Sequence, residues 1–279
     1  DNSPSSPFFG SVYIGYDDNG ANNTPYVLYS RDGFGNWTRS AKVANGNPTI
    51  GVNVAVGPDG SVYATWEDYS GKKIWSAKST DGGATFGTAH VVTNYRMNTT
   101  SFFVFIPPQN VRGIVPFPFT KVAQGGAHAG RLYCSYTDND TSGSNTNIFV
   151  RYSDDGGTTW SSEAKVNDDT NHAYHFHDSI AVLDNGIVGV AFYDTRKDPA
   201  NRKVGRAFSY STDGGAHWSK NMPVSNALSD ETLGNEDGNQ YGDYQGIAAD
   251  PGLGFHFSWT DSRNPGAINE DMFASSLAK

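Results

Sequence analysis

The sequence predicts an all-β fold, a β-propeller of four-stranded antiparallel blades. Three observations support this prediction: a composition rich in Gly and aromatic residues, a strand pattern that recurs five times, and a polar turn that recurs four times. The 279 residues include 32 Gly, 15 Tyr, 16 Phe and 6 Trp, and only 18% are charged. Such a composition favours short strands and tight turns over long helices.

The recurring strand is a run of mainly apolar residues that ends in an aromatic residue, followed by one further residue and an aspartate. It occurs at Val12 to Tyr16 with Asp18, Val62 to Trp66 with Asp68, Leu132 to Tyr136 with Asp138, Val188 to Phe192 with Asp194, and Phe255 to Trp259 with Asp261. The aromatic residues of successive units are 50, 70, 56 and 67 residues apart. Repeats of about this length in a strand-rich chain are typical of propellers, because each blade buries its faces against its neighbours. A β-sandwich with similar hairpins is the alternative.

Further strands complete each unit. An apolar stretch precedes four of the recurring strands, at Gly51 to Val56, Phe117 to Ala123, Ser179 to Leu183 and Gln245 to Ala249. The first unit begins at its second strand, and the last unit stops near Ser275. We therefore expect a single domain over residues 1–279 with five visible blades. Either an N-terminal strand or segment is absent from this chain, and the complete protein could have a sixth blade, or the propeller closes irregularly. The segment from Thr93 to Pro116 is expected to be a loop over one face or a degenerate extra blade.

The polar turn joins the third and fourth strands of four units. It comprises Ser30 to Trp37, Ser79 to Phe86, Ser153 to Trp160, and Ser211 to Trp218. In these Ser-x-Asp turns the Ser and Asp oxygens can accept hydrogen bonds from turn N–H groups, while Gly supplies a positive φ. We therefore expect a structural role for the turns.

The Ser-x-Asp turns resemble the Asp box, Ser-x-Asp-x-Gly-x-Thr-Trp, of the sialidase-like, bacterial-neuraminidase-repeat propeller family. Residues 153–160 match it completely, whereas Phe86 stands in the Trp place and His217 in the Thr place of two other turns. The resemblance implies a secreted or cell-surface protein that acts on carbohydrate. It also implies three arginines on the sugar carboxylate, an aspartate acid/base, and a tyrosine assisted by a glutamate. Only Arg196 and Arg263 match such a triad here, and no Arg-Ile-Pro segment is present.

One end of the predicted blades collects polar residues. In an antiparallel blade the first strand begins where the second ends, and the turn between strands three and four lies at the opposite end. We call the end at which first strands begin and second strands end the mouth. Its carboxylates, arginines and histidines suit a polar ligand such as a sugar. The candidate catalytic residues are Asp178, Asp243, Tyr244 and Glu67, and the candidate substrate-binding residues are Arg196, Arg263, Asp194, Asp261, His175, His177 and Asp68.

Some of these residues allow more than one interpretation. Arg196 and Arg263 occupy the same repeat position, so they could grip one anionic sugar, or each could pair with the aspartate of its own blade. His175 and His177 alternate as in a strand and share a face, so with Asp178 they could bind a metal or form a hydrogen-bonded cluster. No cofactor is required, although residues 17–20 and 138–140 could hold Ca²⁺ or be plain polar loops.

Charge and hydropathy exclude other classes of protein. The formal net charge is −9 and the Lys and Arg residues are not clustered, which argues against nucleic acid as a partner. No apolar run approaches the roughly 20 residues of a membrane-spanning helix. The expected partner is a glycan or glycoconjugate, bound by a monomer or by part of a larger multidomain chain. A glycoside hydrolase acting on an anionic sugar, a non-catalytic glycan-binding or adhesion propeller, and a structural module remain open.

Overall fold

The computed structural model describes residues 1–44, 48–99, 102–232, 241–243, 245–263 and 271–277. Within these ranges the chain forms twenty strands and one short 3-10 helix, Asn19–Ala21. The strands build five antiparallel sheets in chain order and a separate hairpin. The predicted all-β propeller of antiparallel blades is therefore confirmed. None of the helices in the described part of the chain is long and apolar enough to cross a membrane.

The five sheets and the hairpin follow one another along the chain. The first sheet contains β1 (Val12–Asp18), β2 (Thr24–Ser30) and β3 (Thr38–Arg39), and the second contains β4 (Thr49–Val56), β5 (Val62–Asp68), β6 (Lys73–Ser79) and β7 (His90–Asn94). The hairpin consists of β8 (Val104–Ile106) and β9 (Gln109–Ile114). The third sheet contains β10 (Phe119–Val122), β11 (Leu132–Asn139), β12 (Thr146–Ser153) and β13 (Ala164–Lys165). The fourth contains β14 (His175–Val182), β15 (Val188–Asp194), β16 (Gly205–Ser211) and β17 (Met222–Pro223), and the fifth contains β18 (Gly246–Asp250), β19 (Gly254–Asp261) and β20 (Asp271–Leu277).

The recurring strand of the sequence is β1 of the three-stranded first sheet and the second strand of each of the other four sheets. Its aromatic residue is buried in four blades, as Trp66, Tyr136, Phe192 and Trp259. The first strands link the blades, because β4 contacts β1 and β10, and β14 contacts β10 and β18. Successive blades thus stack in chain order, and burial of the repeated aromatic residues between them stabilises the stack.

The Ser-x-Asp turns form the predicted hydrogen bonds. In the third blade, Ser153 Oγ donates to Asp155 Oδ1 and accepts from Gly157 N, both at 2.8 Å. Gly157 has a φ of +86°, a conformation that a residue with a Cβ adopts only with strain. Equivalent pairs of bonds at Ser79 and Ser211 show that the turns hold their hairpins together.

The segment that precedes the third blade contains the hairpin β8–β9. Ile106 and Ile114 of this hairpin are buried in the largest apolar cluster, together with Tyr136, Tyr193 and Tyr241. Packing in one cluster with residues of the third and fourth blades and of the segment before the fifth fixes the hairpin in place and distinguishes it from a solvated loop.

Candidate functional site

The mouth lies at the end of the blades opposite the Ser-x-Asp turns, as the strand register shows. In the third blade Asn139, at the end of β11, pairs with Thr146, whereas Leu132 at its start pairs with Ser153 beside the turn. The mouth is therefore the end at which first strands begin and second strands end. Side chains from different blades can meet there.

Two first strands enter the mouth through β-bulges. In β14 the register passes from Phe176 opposite Tyr193 to Ser179 opposite Ala191, which leaves His177 and Asp178 opposite one residue. The same irregularity places Gly51 and Val52 in the bulge of β4. Both bulges use a left-handed residue, with a φ of 68° at Gly51 and 46° at His177. A histidine in this conformation costs roughly 1 kcal/mol or more, and such strain is concentrated at functional sites.

The bulge separates His175 and His177, which were predicted to lie on the same face of the strand. The His175 ring contacts the Phe192 ring, whereas the His177 ring contacts those of Phe176 and Tyr193. Phe192 and Tyr193 are neighbours in β15 and lie on opposite faces of it. The prediction that His175 and His177 share a face is wrong because the bulge interrupts the strand alternation.

Asp178 is a buried carboxyl group beside the mouth. Thr137 Oγ1 donates to its Oδ1 at 3.1 Å, and its Oδ2 has no hydrogen-bond partner among the described residues. Ser135 lies against the same carboxylate, although its hydroxyl does not reach hydrogen-bond geometry. Burial raises the pKa of Asp178 to about 6. The group therefore changes its charge near neutral pH.

Sequence analysis missed Arg206, which lies directly beneath the bulge. Its guanidinium donates to His177 O and to Ser179 Oγ at 2.8 Å, and it sits 5.1 Å from the centre of the Tyr193 ring. Burial lowers the pKa of Arg206 to about 10. The sequence did contain a signal for Arg206. The strand pairing shows that the same repeat position is occupied by isoleucine in the second and third blades, as Ile74 and Ile148.

Glu67 is a second buried carboxyl group. Tyr95 donates to its Oε1 at 2.8 Å, while its Oε2 has no partner within the described ranges. Burial, reinforced by the nearby charge of Asp68, raises the pKa of Glu67 to about 8, so the group is mainly protonated at pH 7. Asp68 itself accepts a hydrogen bond from the N–H of Gly71 at 2.7 Å and so holds the following turn.

Arg196 and Arg263 each pair with an aspartate of their own blade. Arg263 forms an ion pair with Asp261, and Arg196 forms one with Asp194. Arg196 also lies 2.5 Å from Asp168, which belongs to the segment between the third and fourth blades. The geometry thus matches the interpretation in which each arginine pairs with the aspartate of its own blade.

His175 belongs to the same charged network as Arg196. Its Nε2 lies 3.1 Å from Asp169 Oδ1 and 3.5 Å from Asp194 Oδ1, and its ring is fully buried. Burial alone would lower the pKa of His175, but the adjacent carboxylates of Asp169 and Asp194 raise it to about 9. His175 is thus a charged group beneath the mouth that joins two carboxylates.

Asp243 pairs with the hairpin β8–β9. Arg112 donates to both of its carboxylate oxygens, at 2.9 and 2.7 Å, and both side chains are about one-third exposed. Tyr244, the other candidate in this segment, lies outside the described residues.

A cavity of about 350 Å³ opens among the first three blades at the mouth. Its lining combines the Asp17 carboxyl and Asn53 with the aromatic side chains Tyr16, Phe117 and Phe119. Burial raises the pKa of Asp17, although the backbone N–H groups of Asp17 and Gly51 oppose the shift. Sequence analysis did not select Asp17, yet it follows the aromatic residue of its repeat as Glu67 does.

Three carboxylates of the two loops considered for Ca²⁺ form other contacts, whereas Asp17 lines the mouth cavity. Asp18 lies 3.3 Å from Arg39, Asp138 lies 3.1 Å from Arg96, and Asp140 accepts hydrogen bonds from Ser142. Throughout the described ranges, no group of three or more His, Cys, Asp or Glu side chains is placed to hold a metal ion.

Comparison with known proteins identifies the fold. No protein-family model and no curated protein matches the sequence. Among solved structures, a protein of unknown function from Dyadobacter fermentans has a TM-score of 0.56 at 14% identity, over 96% of this chain and 76% of that one. A Hadza microbial sialidase has a TM-score of 0.52 at 14% identity, over 90% of this chain and 52% of that one. The α-L-arabinofuranosidase of Fusarium graminearum has a TM-score of 0.53 at 14% identity, over 96% and 89% of the two chains.

The chain thus spans about half the length of the sialidase and most of the length of the other two proteins. At 14% identity the likeness is one of fold alone.

Proposed function

We propose that this protein is a secreted or cell-surface propeller that hydrolyses a glycoside bound at the mouth. The observation that carries the proposal is the mouth cavity, in which Asp17 and Asn53 stand beside Phe117 and Phe119. Aromatic rings pack against the apolar faces of sugars, and carboxylate and amide groups bind their hydroxyls. The shared fold with a sialidase and an arabinofuranosidase supports a carbohydrate as the substrate.

Asp17 is the proposed general acid. Glycoside hydrolysis requires a carboxylic acid that protonates the leaving oxygen and a second carboxyl that activates water or attacks the sugar. Asp17 lines the cavity, and burial raises its pKa, which favours the protonated form that an acid needs. Asp178 is the proposed second carboxyl, because its free Oδ2 can accept a bond from a water molecule that enters the mouth.

Arg112 is the proposed anchor for an acidic sugar. Arg196 is held by several carboxylates and Arg263 by Asp261. Among the described residues, Arg112 has a single partner carboxylate in Asp243, and the pair is partly exposed. A sugar carboxylate can replace Asp243 there and form the same charge-assisted hydrogen bonds.

The test is release of 4-methylumbelliferone from a sialoside, a glucuronide and an arabinofuranoside. We expect turnover of at least one glycoside, with a loss of about 100-fold or more in kcat for Asp17→Asn and Asp178→Asn. Asp154→Asn is the matched control, because Asp154 lies in a Ser-x-Asp turn at the opposite end of the blade and pairs with Arg131. Failure of the wild type to cleave any of the three, or full activity of Asp17→Asn, overturns the proposed hydrolysis.

A non-catalytic glycan-binding propeller is the second candidate. It is favoured by the burial of Asp178 and Glu67, which are only 1% and 0% exposed. Binding to a glycan array without turnover, weakened by Asp17→Asn, would establish this function instead of hydrolysis.

A further inference from the structure

A second cavity, of about 300 Å³, lies between the third blade and the segment that leads into the fourth, and it is separate from the mouth cavity. Its polar lining includes Asp140, Asn147, Lys165 and Asp169, and Phe149 contributes an aromatic surface. We propose that this interblade cavity binds a neutral saccharide unit. The inference does not depend on hydrolysis at the mouth.

The interblade cavity is bordered by a residue with a buried, unbonded carboxylate oxygen. The Asp169 side chain is only 6% exposed, and its Oδ1 accepts from Asn167 Nδ2 at 2.7 Å and contacts His175. Its Oδ2 has no hydrogen-bond partner in the described part of the chain. Burial opposes ionisation, but the adjacent His175 ring lowers the pKa of Asp169 to about 2, so the carboxylate is charged. Leaving such an oxygen unbonded is costly, and a ligand hydroxyl would satisfy it.

The charged groups around this oxygen favour a hydroxyl group as the ligand. Lys165 Nζ donates to the main-chain O of Asp169 at 3.1 Å, which places a positive charge and a donor at the residue that carries the unbonded carboxylate oxygen. Glu163 pairs with Arg96 and Arg151, so its carboxylate does not attract a cation. A hydroxyl group both donates and accepts, and it therefore matches neighbouring acceptors and donors better than a metal ion or an anion does.

The side chains that line the interblade cavity are already held in position. Asn145 Nδ2 donates to Ala173 O at 2.9 Å, and Asn167 Nδ2 donates to Asn147 Oδ1 at 2.7 Å. The Phe149 ring is braced by Arg96, whose guanidinium lies 4.8 Å from the ring centre. A ligand would meet a preorganised surface and would lose little affinity to ordering it.

The test is a titration of the isotopically labelled full chain, followed by NMR of side-chain amides. The probes are methyl α-L-arabinofuranoside, methyl β-D-galactopyranoside and methyl α-D-glucopyranoside. We expect at least one probe to shift the signals of Asn145 and Asn147. Lys165→Ala removes the donor and Thr170→Trp fills the cavity from an exposed position, so each should weaken binding about tenfold or more. Lys42→Ala, at an exposed lysine in the first blade, is the matched control and should leave the affinity unchanged.

Asp17→Asn separates this site from the proposed hydrolysis, since it should abolish turnover and retain binding in the interblade cavity. The proposal is overturned if none of the three probes shifts these signals, or if Thr170→Trp binds as tightly as the wild type. A shift produced by CaCl₂ and reversed by EDTA, without a response to the glycosides, would also overturn it.

Discussion

Arg112 donates to both carboxylate oxygens of Asp243, although 131 residues separate the two in the chain. The pair joins the hairpin β8–β9 to the segment that leads into the fifth blade. The guanidinium also lies 4.5 Å from the centre of the Phe103 ring. The segment from Thr93 to Pro116, which the sequence predicted to be either a loop or a degenerate extra blade, is thus attached to the mouth.

The contribution of this pair to stability should be small. Both side chains are about 30% exposed, and exposed ion pairs typically contribute about 0.2–1 kcal/mol. A double-mutant cycle of Arg112→Ala and Asp243→Ala in urea should therefore give a coupling energy within that range. A coupling energy of several kcal/mol would mean that the pair is desolvated in solution.

His175 should make stability fall as the pH rises above neutrality. Its pKa is raised in the folded protein to about 9 from 6.5, so folding favours the protonated ring. The stabilisation is fully present below pH 6.5 and is lost as the pH rises to about 9, with an upper limit of about 3 kcal/mol.

Thermal unfolding of the wild type and His175→Gln across this interval measures the loss. The variant should lack this part of the pH dependence, while His217→Gln, at a histidine whose side chain is 89% exposed, should retain it. Identical pH profiles for wild type and His175→Gln would contradict the charged state of His175.

Glu67→Gln should stabilise the protein at alkaline pH. Burial raises the pKa of Glu67 to about 8, so the folded state prefers the protonated carboxyl. The stabilisation from that proton is present below the ordinary pKa of 4.5 and is lost as the pH rises through 8, whereas glutamine cannot ionise.

The free energies of unfolding of wild type and Glu67→Gln should thus be similar near pH 5, and should differ by up to about 4 kcal/mol in favour of the variant near pH 9. Equal stability at pH 9, measured by urea unfolding, would show that Glu67 is charged in the folded protein at neutral pH.

Ser153→Ala should destabilise the third blade. The Ser153 hydroxyl is buried and accepts the hydrogen bond of the Gly157 N–H, so its removal leaves a buried donor unpaired at a cost of about 1–3 kcal/mol. Ser142→Ala is the control, since Ser142 also bonds an aspartate but lies on an exposed loop, and it should change the free energy of unfolding by less than about 0.5 kcal/mol. Equal effects of the two substitutions would show that the turn does not hold the blade.

The sequence by itself determined the blades, their second strands and the Ser-x-Asp turns. These features depend on contacts within a few residues or between adjacent strands, so the alternation from Val188 to Phe192 and the bonds of Ser153 follow from local chemistry. The position of the mouth followed from the antiparallel order of the strands.

Only the tertiary structure decided which polar side chains of the mouth are open, paired or buried. A bulge at His177 changed the face of one histidine, and side chains from other blades surrounded Asp178 and His175. Arg206 was recognisable only as an exception to the repeat, and the partner of Arg112 is 131 residues away. Such contacts depend on how blades stack and where bulges fall, and a periodic pattern in the sequence contains neither.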